Sequence, residues 1–196
     1  MRVEPIRDKT VIKRITEALE DDQTEAGKRR FLLWETGLFL GRRISDMLKM
    51  SVGDVYGKEK LVIKEGKTDK QIELFFPKTL KRVYKERLAG RALDEPLFVS
   101  RQHDRINGKV KPIDRKTAYR DIQEIKKIGC FPEGYNIGTH TLRKTFGYHY
   151  YQKTKDIASL MKLFNHSKEE ITQIYIGLSS DEMKQSFGKV DSMYDT

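Results

Sequence analysis

The chain has 196 residues, 39 of them Lys or Arg and 29 Asp or Glu, for a net charge of +10 with 37% hydrophobic and 35% charged residues. That length, with nine Tyr and nine Phe, predicts a single folded domain with its own core and argues against wholesale disorder. The lone cysteine, Cys130, excludes an internal disulfide and a zinc module, and the absence of a bilayer-length apolar run or a signal-peptide stretch leads us to expect a soluble, cytoplasmic protein.

In chain order, Thr10 reads as the N-cap of a helix carrying Val11, Ile12, Ile15, Ala18 and Leu19 at helical spacing. A second helical stretch holds Phe31, Leu32, Leu33 and Trp34, and a short third lies around Ile44, Met47 and Leu48. Two β-prone runs, Leu61 to Ile63 and Ile72 to Phe76, flank Glu65-Gly66-Lys67-Thr68-Asp69, which reads as a hairpin turn. Pro77 opens a helix to about Leu88, because its missing N–H costs nothing at a helix start. The stretch from Arg101 to Lys111 reads as a polar, basic loop. Ala118, Ile122, Ile125 and Ile128 mark another helix, with Gly129 as its C-cap. Helices over Thr139 to Gln152 and Asp156 to Phe164 follow. Ser167 and Glu170 then form a capping box for another, and Ser179 with Glu182 repeats the device before a terminal helix near Met183 to Phe187. The predicted architecture is mainly α with a small antiparallel β-hairpin.

The charge points to a polyanionic partner, with nucleic acid ahead of an anionic membrane surface. His140-Thr141-Leu142-Arg143 puts an imidazole and a guanidinium on one helix face near an N-terminus, where backbone N–H groups favour phosphate. A solvated surface pair would have the same spacing. Leu163-Phe164-Asn165-His166 is followed nine residues later by Tyr175. A straight helix would hold His166 and Tyr175 roughly 13 Å apart, so they converge only if the chain bends, which a cap at Ser167 would allow. Read singly, His166 is a helix-end histidine and Tyr175 a core aromatic between Ile174 and Ile176.

Taken together with Gly41-Arg42-Arg43-Ile44-Ser45-Asp46-Met47-Leu48, the following Asp54-Val55, and Gly66-Lys67-Thr68-Asp69-Lys70, these boxes occur in one order from about residue 35 to 178. In that order the sequence resembles the catalytic domain of the tyrosine recombinase (phage integrase) family. Arg43 takes the family's first arginine slot, with Arg42 as the alternative, and Lys67 takes the place of the hairpin lysine, with Lys70 as second candidate. Asn165 stands where the family usually has Gly, and Asp46 where Glu is common. Thr36-Gly37 precedes the box; counted from there, Phe39 would fill the arginine slot.

The resemblance implies a DNA breaking-rejoining fold in one catalytic domain with a core over about residues 10–178. Residues 179–196 would form a C-terminal helix and tail open to exchange between protomers, and no N-terminal core-binding domain is expected. The implied function is site-specific recombination or integration through a 3′-phosphotyrosyl intermediate, without metal, ATP or cofactor. Tyr175 would attack phosphorus, His140 take its proton, Arg43 and Arg143 grip the non-bridging oxygens, His166 position the phosphate and Lys67 protonate the 5′ leaving oxygen. Duplex DNA is the expected partner, bound as a homotetramer by a protein that is monomeric when free and encoded by a bacterium, phage or mobile element. Lys9, Arg105, Lys109, Lys111, Arg115 and Lys144 are candidate DNA contacts. A type IB topoisomerase and a DNA-binding regulator without strand exchange are the alternatives.

Overall fold

The computed structural model describes residues 3–64, 71–103, 108 and 110–178. Among these it contains helices α1 (Lys9–Asp21), α2 (Glu25–Leu40), α3 (Ile44–Met47), α4 (Lys78–Leu88), α5 (Arg115–Gly129), α6 (Thr141–Thr154), α7 (Ile157–Phe164) and α8 (Glu169–Ile176). Two antiparallel pairs, β1 (Lys60–Lys64) with β2 (Gln71–Phe75) and β3 (Val99–His103) with β4 (Val110–Pro112), complete it. No described helix is long and apolar enough to cross a membrane.

Helix α2 is the centre of the main core. Its apolar residues are not confined to one stripe, and Phe31, Leu32, Leu33, Trp34 and Leu40 are all buried, as expected of a helix covered on several sides. It packs against α1, α4, α5 and α6. The helix ends at Gly41, whose φ of 58° is left-handed and whose Cβ, were there one, would lie 2.2 Å from the Phe146 ring. That turn delivers Arg42 and Arg43 to the region of α6. Thr36 and Gly37 lie buried inside α2, so the turn glycine of the first box is Gly41. A smaller cluster of Leu160, Phe164 and Ile176, with Phe146, Tyr150, Tyr151 and Tyr175 against it, joins α6, α7 and α8.

In the β1–β2 hairpin Leu61 and Leu74 sit opposite each other and are buried, whereas Val62 and Phe75 are exposed, the alternation of a one-sided sheet. Its tip, with Lys67 and Lys70, lies outside the described residues. Several expectations need correction. Asp8, not Thr10, caps α1: its carboxylate accepts from the Thr10 N–H at 2.7 Å. Gly129 is the last residue of α5, and Cys130 takes the left-handed position, φ 46°; the Phe131 ring packs so near Gly129 that any side chain there would collide. The Arg101–Lys111 stretch is not a plain loop, because its two ends pair as β3 and β4, Val99 opposite Pro112 and His103 opposite Val110. Arg105 and Lys109 lie outside the described residues. The Ser167 capping box does not form either: Lys168 occupies the N-cap of α8, with no side-chain cap bond. The predicted terminal helix also lies outside the described residues.

Candidate active site

His140 is the N-cap residue of α6, and Arg143 stands three residues on, on the same face. Arg143 is only 2% exposed. Its Nη1 donates to the Gly41 carbonyl and its Nη2 to the Phe164 carbonyl, each at 3.0 Å, so the two ends of the site are tied through one guanidinium. Its Cζ lies 4.1 Å from the centre of the Phe164 ring and 5.9 Å from that of Tyr175. Two of its five N–H donors go to those carbonyls and it also hydrogen-bonds Tyr175, which leaves donors for a ligand. Burial lowers its pKa to about 10, with Arg43 and Arg42 adding to the fall and Tyr175 opposing it, so it remains a cation at neutral pH.

The chain leaves α7 through Asn165, which adopts φ 50°. Asparagine tolerates this left-handed turn better than other side-chain-bearing residues, which accounts for its standing in a glycine position. The turn brings His166 back toward α8, where its Nδ1 meets the Thr172 hydroxyl at 3.0 Å and its ring centre lies 5.4 Å from that of Tyr175. Tyr175 is half-buried, and its Oη is 2.9 Å from His140 Nδ1. With the imidazole neutral and its proton on Nε2, Nδ1 accepts from the phenol.

Burial, the largest influence, raises the Tyr175 pKa, while the charges of Arg143 and Arg43 pull it back down. Both histidines are lowered: His140 by partial burial and then by Arg143, Lys144, Arg43 and Arg115, His166 by burial and then by Arg143 and Arg43. The arrangement holds a neutral base against a neutral phenol inside a ring of fixed cations.

The two candidate first arginines differ in surroundings. Arg42 is buried, with Nη1 3.4 Å from the Leu163 carbonyl and Nη2 3.6 Å from Asp46. Arg43 is exposed, and its charge acts on His140, Arg143, His166 and Tyr175 alike. Of the candidate DNA contacts, Arg115 is exposed and close enough to act on His140. Lys111 is exposed on β4. Lys9 is exposed and influences His149, about two and a half turns along α6 from His140. Lys144 is buried instead: its Nζ donates to the Val3 carbonyl at 2.9 Å and lies 5.1 Å from the Tyr175 ring centre. Its spacing of four from His140 could have placed it at the site from sequence. Thr172, behind His166, carries no such signal. No group of His, Cys, Asp and Glu suited to a metal ion lies among the described residues.

A histidine-bonded tyrosine under the charge of Arg43 and Arg143 fits what sequence and structure comparisons find. The phage integrase family model matches residues 7–182. The chain belongs to the phage integrase family. Members of that family are tyrosine recombinases, which cleave DNA and rejoin its strands. Over 185 residues the chain is 38% identical to a protein of Bacillus subtilis (strain 168) named "Probable integrase/recombinase YoeC", covering 94% of this chain and 95% of that one. Its fold matches the XerH site-specific recombinase bound to difH substrate, with TM-score 0.71 and 17% identity, over 100% of this chain and 56% of that one. It also matches a lambda integrase tetramer bound to a Holliday junction, with TM-score 0.61 and 18% identity, over 89% of this chain and 48% of that one. The chain thus spans about half the length of these two recombinases.

Proposed function

We propose that this integrase-family chain is a site-specific recombinase that acts on duplex DNA through Tyr175. The observation that carries the reading is the 2.9 Å contact between Tyr175 Oη and His140 Nδ1 beside the Arg143 guanidinium. Tyr175 Oη attacks phosphorus as its proton passes to His140, and the bond from phosphorus to the 5′ oxygen breaks. The 3′ phosphate is left on the tyrosine, and Lys67, by resemblance to the family, supplies the proton the 5′ oxygen needs. Arg143 and Arg43 neutralise the charge that builds on the non-bridging oxygens, the largest single contribution at sites of this kind. His166, steadied by Thr172, donates to the same phosphate. Because a phosphodiester is exchanged for a phosphotyrosine, the strand can be rejoined without ATP.

Exposed Arg43 and Arg115, whose charges both act on His140, support a DNA-facing side at this end of the molecule, and exposed Lys111 is a further candidate contact. The lambda integrase tetramer bound to a Holliday junction supports a tetramer on DNA, and we propose that this tetramer forms from protein that is monomeric before binding. A bacterial or phage-borne setting fits the B. subtilis relative. The test is covalent capture of nicked duplexes from a pool with randomised sequence around the nick. Wild-type protein should form an adduct resistant to denaturation, and Tyr175→Phe should form none. An adduct undiminished in Tyr175→Phe would refute the assignment, and none with wild type would favour a DNA-binding regulator.

A further inference from the structure

Residues Val3 to Arg7 do more than lead into α1. They run as a strap beside α6: the Ile6 N–H donates to Thr145 Oγ1 at 2.9 Å, the Ile6 carbonyl meets His149 Nε2 at 2.9 Å, and the Pro5 carbonyl accepts from the Tyr135 hydroxyl. Pro5 and Ile6 are buried. Two strap contacts reach the surroundings of Tyr175. The Val3 carbonyl holds Lys144, whose ammonium lies near the Tyr175 ring. Arg7 Nη2 donates to the Gly177 carbonyl at 2.6 Å, and the same guanidinium lies 5.3 Å from the Tyr148 ring centre on α6.

Gly177 is the C-cap of α8, two residues beyond Tyr175. A helix of eight residues is not stable by itself and depends on its contacts. On α8 only Thr172 and Ile176 are fully buried, while Ile171 and Ile174 face outward, 45% and 57% exposed. The carbonyls at a helix end lack partners within the helix, and a cation there is favoured by the dipole. Arg7 supplies both a donor and the charge, and it does so at the end of the helix that carries Tyr175. The approach is close: a Cβ on Gly177 would come within 3.2 Å of Arg7 Nη2 and 3.3 Å of the Pro5 ring.

We propose that Arg7 is a positioning residue for Tyr175, through which the Val3–Arg7 strap fixes the end of α8 and hence where the phenol points. This rests on Tyr175 being the nucleophile. Duplexes enriched by covalent capture on the wild-type 196-residue chain serve as the probe, and single-turnover adduct formation is followed against DNA concentration for Arg7→Ala, Arg7→Gln and Arg7→Lys. Arg7→Ala should lower the rate at saturating DNA by on the order of ten- to a hundredfold, the cost of a misplaced reacting atom. The half-saturating DNA concentration should hold steady, and Arg7→Lys, which keeps a cationic donor, should recover most of the rate. Amide exchange at Gly177 and Leu178 should quicken in Arg7→Ala.

An unchanged saturating rate overturns the proposal. So does a loss confined to DNA affinity, which would make Arg7 a phosphate contact, or an Arg7→Lys no better than Arg7→Ala. Should Arg7→Ala fail to fold, Arg7→Gln takes its place against Arg7→Lys, and equal rates for those two overturn it. Tyr175→Phe separates the two layers: an adduct that survives it removes the nucleophile and takes the strap proposal with it, whatever the Arg7 variants do.

Discussion

Among single side chains, His140 and Tyr175 are tuned so that both are neutral when they meet, the phenol lifted by burial and the imidazole lowered by burial and surrounding cations. A depressed imidazole keeps its lone pair as pH falls through neutrality and is protonated only below its ordinary value of 6.5. The rate of adduct formation should therefore hold from pH 8 down past neutrality and decline in acid, and His140→Gln should lower it by on the order of a hundredfold or more. A rate that climbs as pH falls contradicts the base assignment. Glu35 offers a separate check on stability. Buried in α2 and near Glu20, it is raised from 4.5 to about 7. The folded state then binds more protons at Glu35 between those values, so the contribution of Glu35 to stability is fullest below pH 4.5 and falls as pH rises to about 7, by on the order of 3 kcal/mol. Glu35→Gln should raise the unfolding midpoint at pH 8 and change it little at pH 4, as read by thermal melts in both buffers. The four residues of the last two boxes were legible in sequence because the spacing of His140 with Arg143 and of His166 with Tyr175 survives in one chain. Arg7 was not, since its role arises from a contact spanning nearly the whole chain. Lys144 looked like a surface cation because charge alone does not reveal a buried carbonyl partner.

Between elements, the position of α8 depends on how closely it approaches α6. Gly147 on α6 makes that approach possible: a Cβ there would lie 2.7 Å from Ile176 and 2.8 Å from the Phe164 ring. Gly147→Ala should push α8 and the end of α7 outward. We expect a stability loss of about 1–3 kcal/mol by denaturant titration, together with a larger fall in adduct formation than the folded fraction explains. Full activity in Gly147→Ala would show that this packing does not set the site. The β1–β2 hairpin was readable because two β-prone runs flank a short glycine-containing stretch of sequence. The β3–β4 pair was not, because Arg101 to Lys111 is polar and only its two ends, continued by Val99 and Pro112, pair as strands. The capping box at Ser167 failed for a similar reason: the left-handed turn at Asn165 and the Thr172 contact place His166, and α8 begins only after Lys168.

At the scale of the whole molecule, a net charge of +10 matters through where its cations lie. Arg43 and Arg115 stand exposed around His140 and Tyr175, whereas Arg143 and Lys144 are buried among them. Binding to duplex DNA should weaken steeply with salt, and Arg115→Gln should make the slope of log affinity against log salt shallower by about one, with no change in sequence preference. An unaltered slope would place Arg115 off the DNA. The fold class was readable from helical periodicity, and the family from the order of boxes, because both are written along the chain; the closeness of the strap to α8 is visible only in three dimensions. The most direct measurement is mass mapping of the protein–DNA adduct after proteolysis. It should find a nucleotide joined through its 3′ phosphate to Tyr175 and to no other residue. Attachment elsewhere, or cleavage that leaves a free 3′ end and no adduct, would contradict the convergence of His140, Arg143, His166 and Tyr175 on one phosphate.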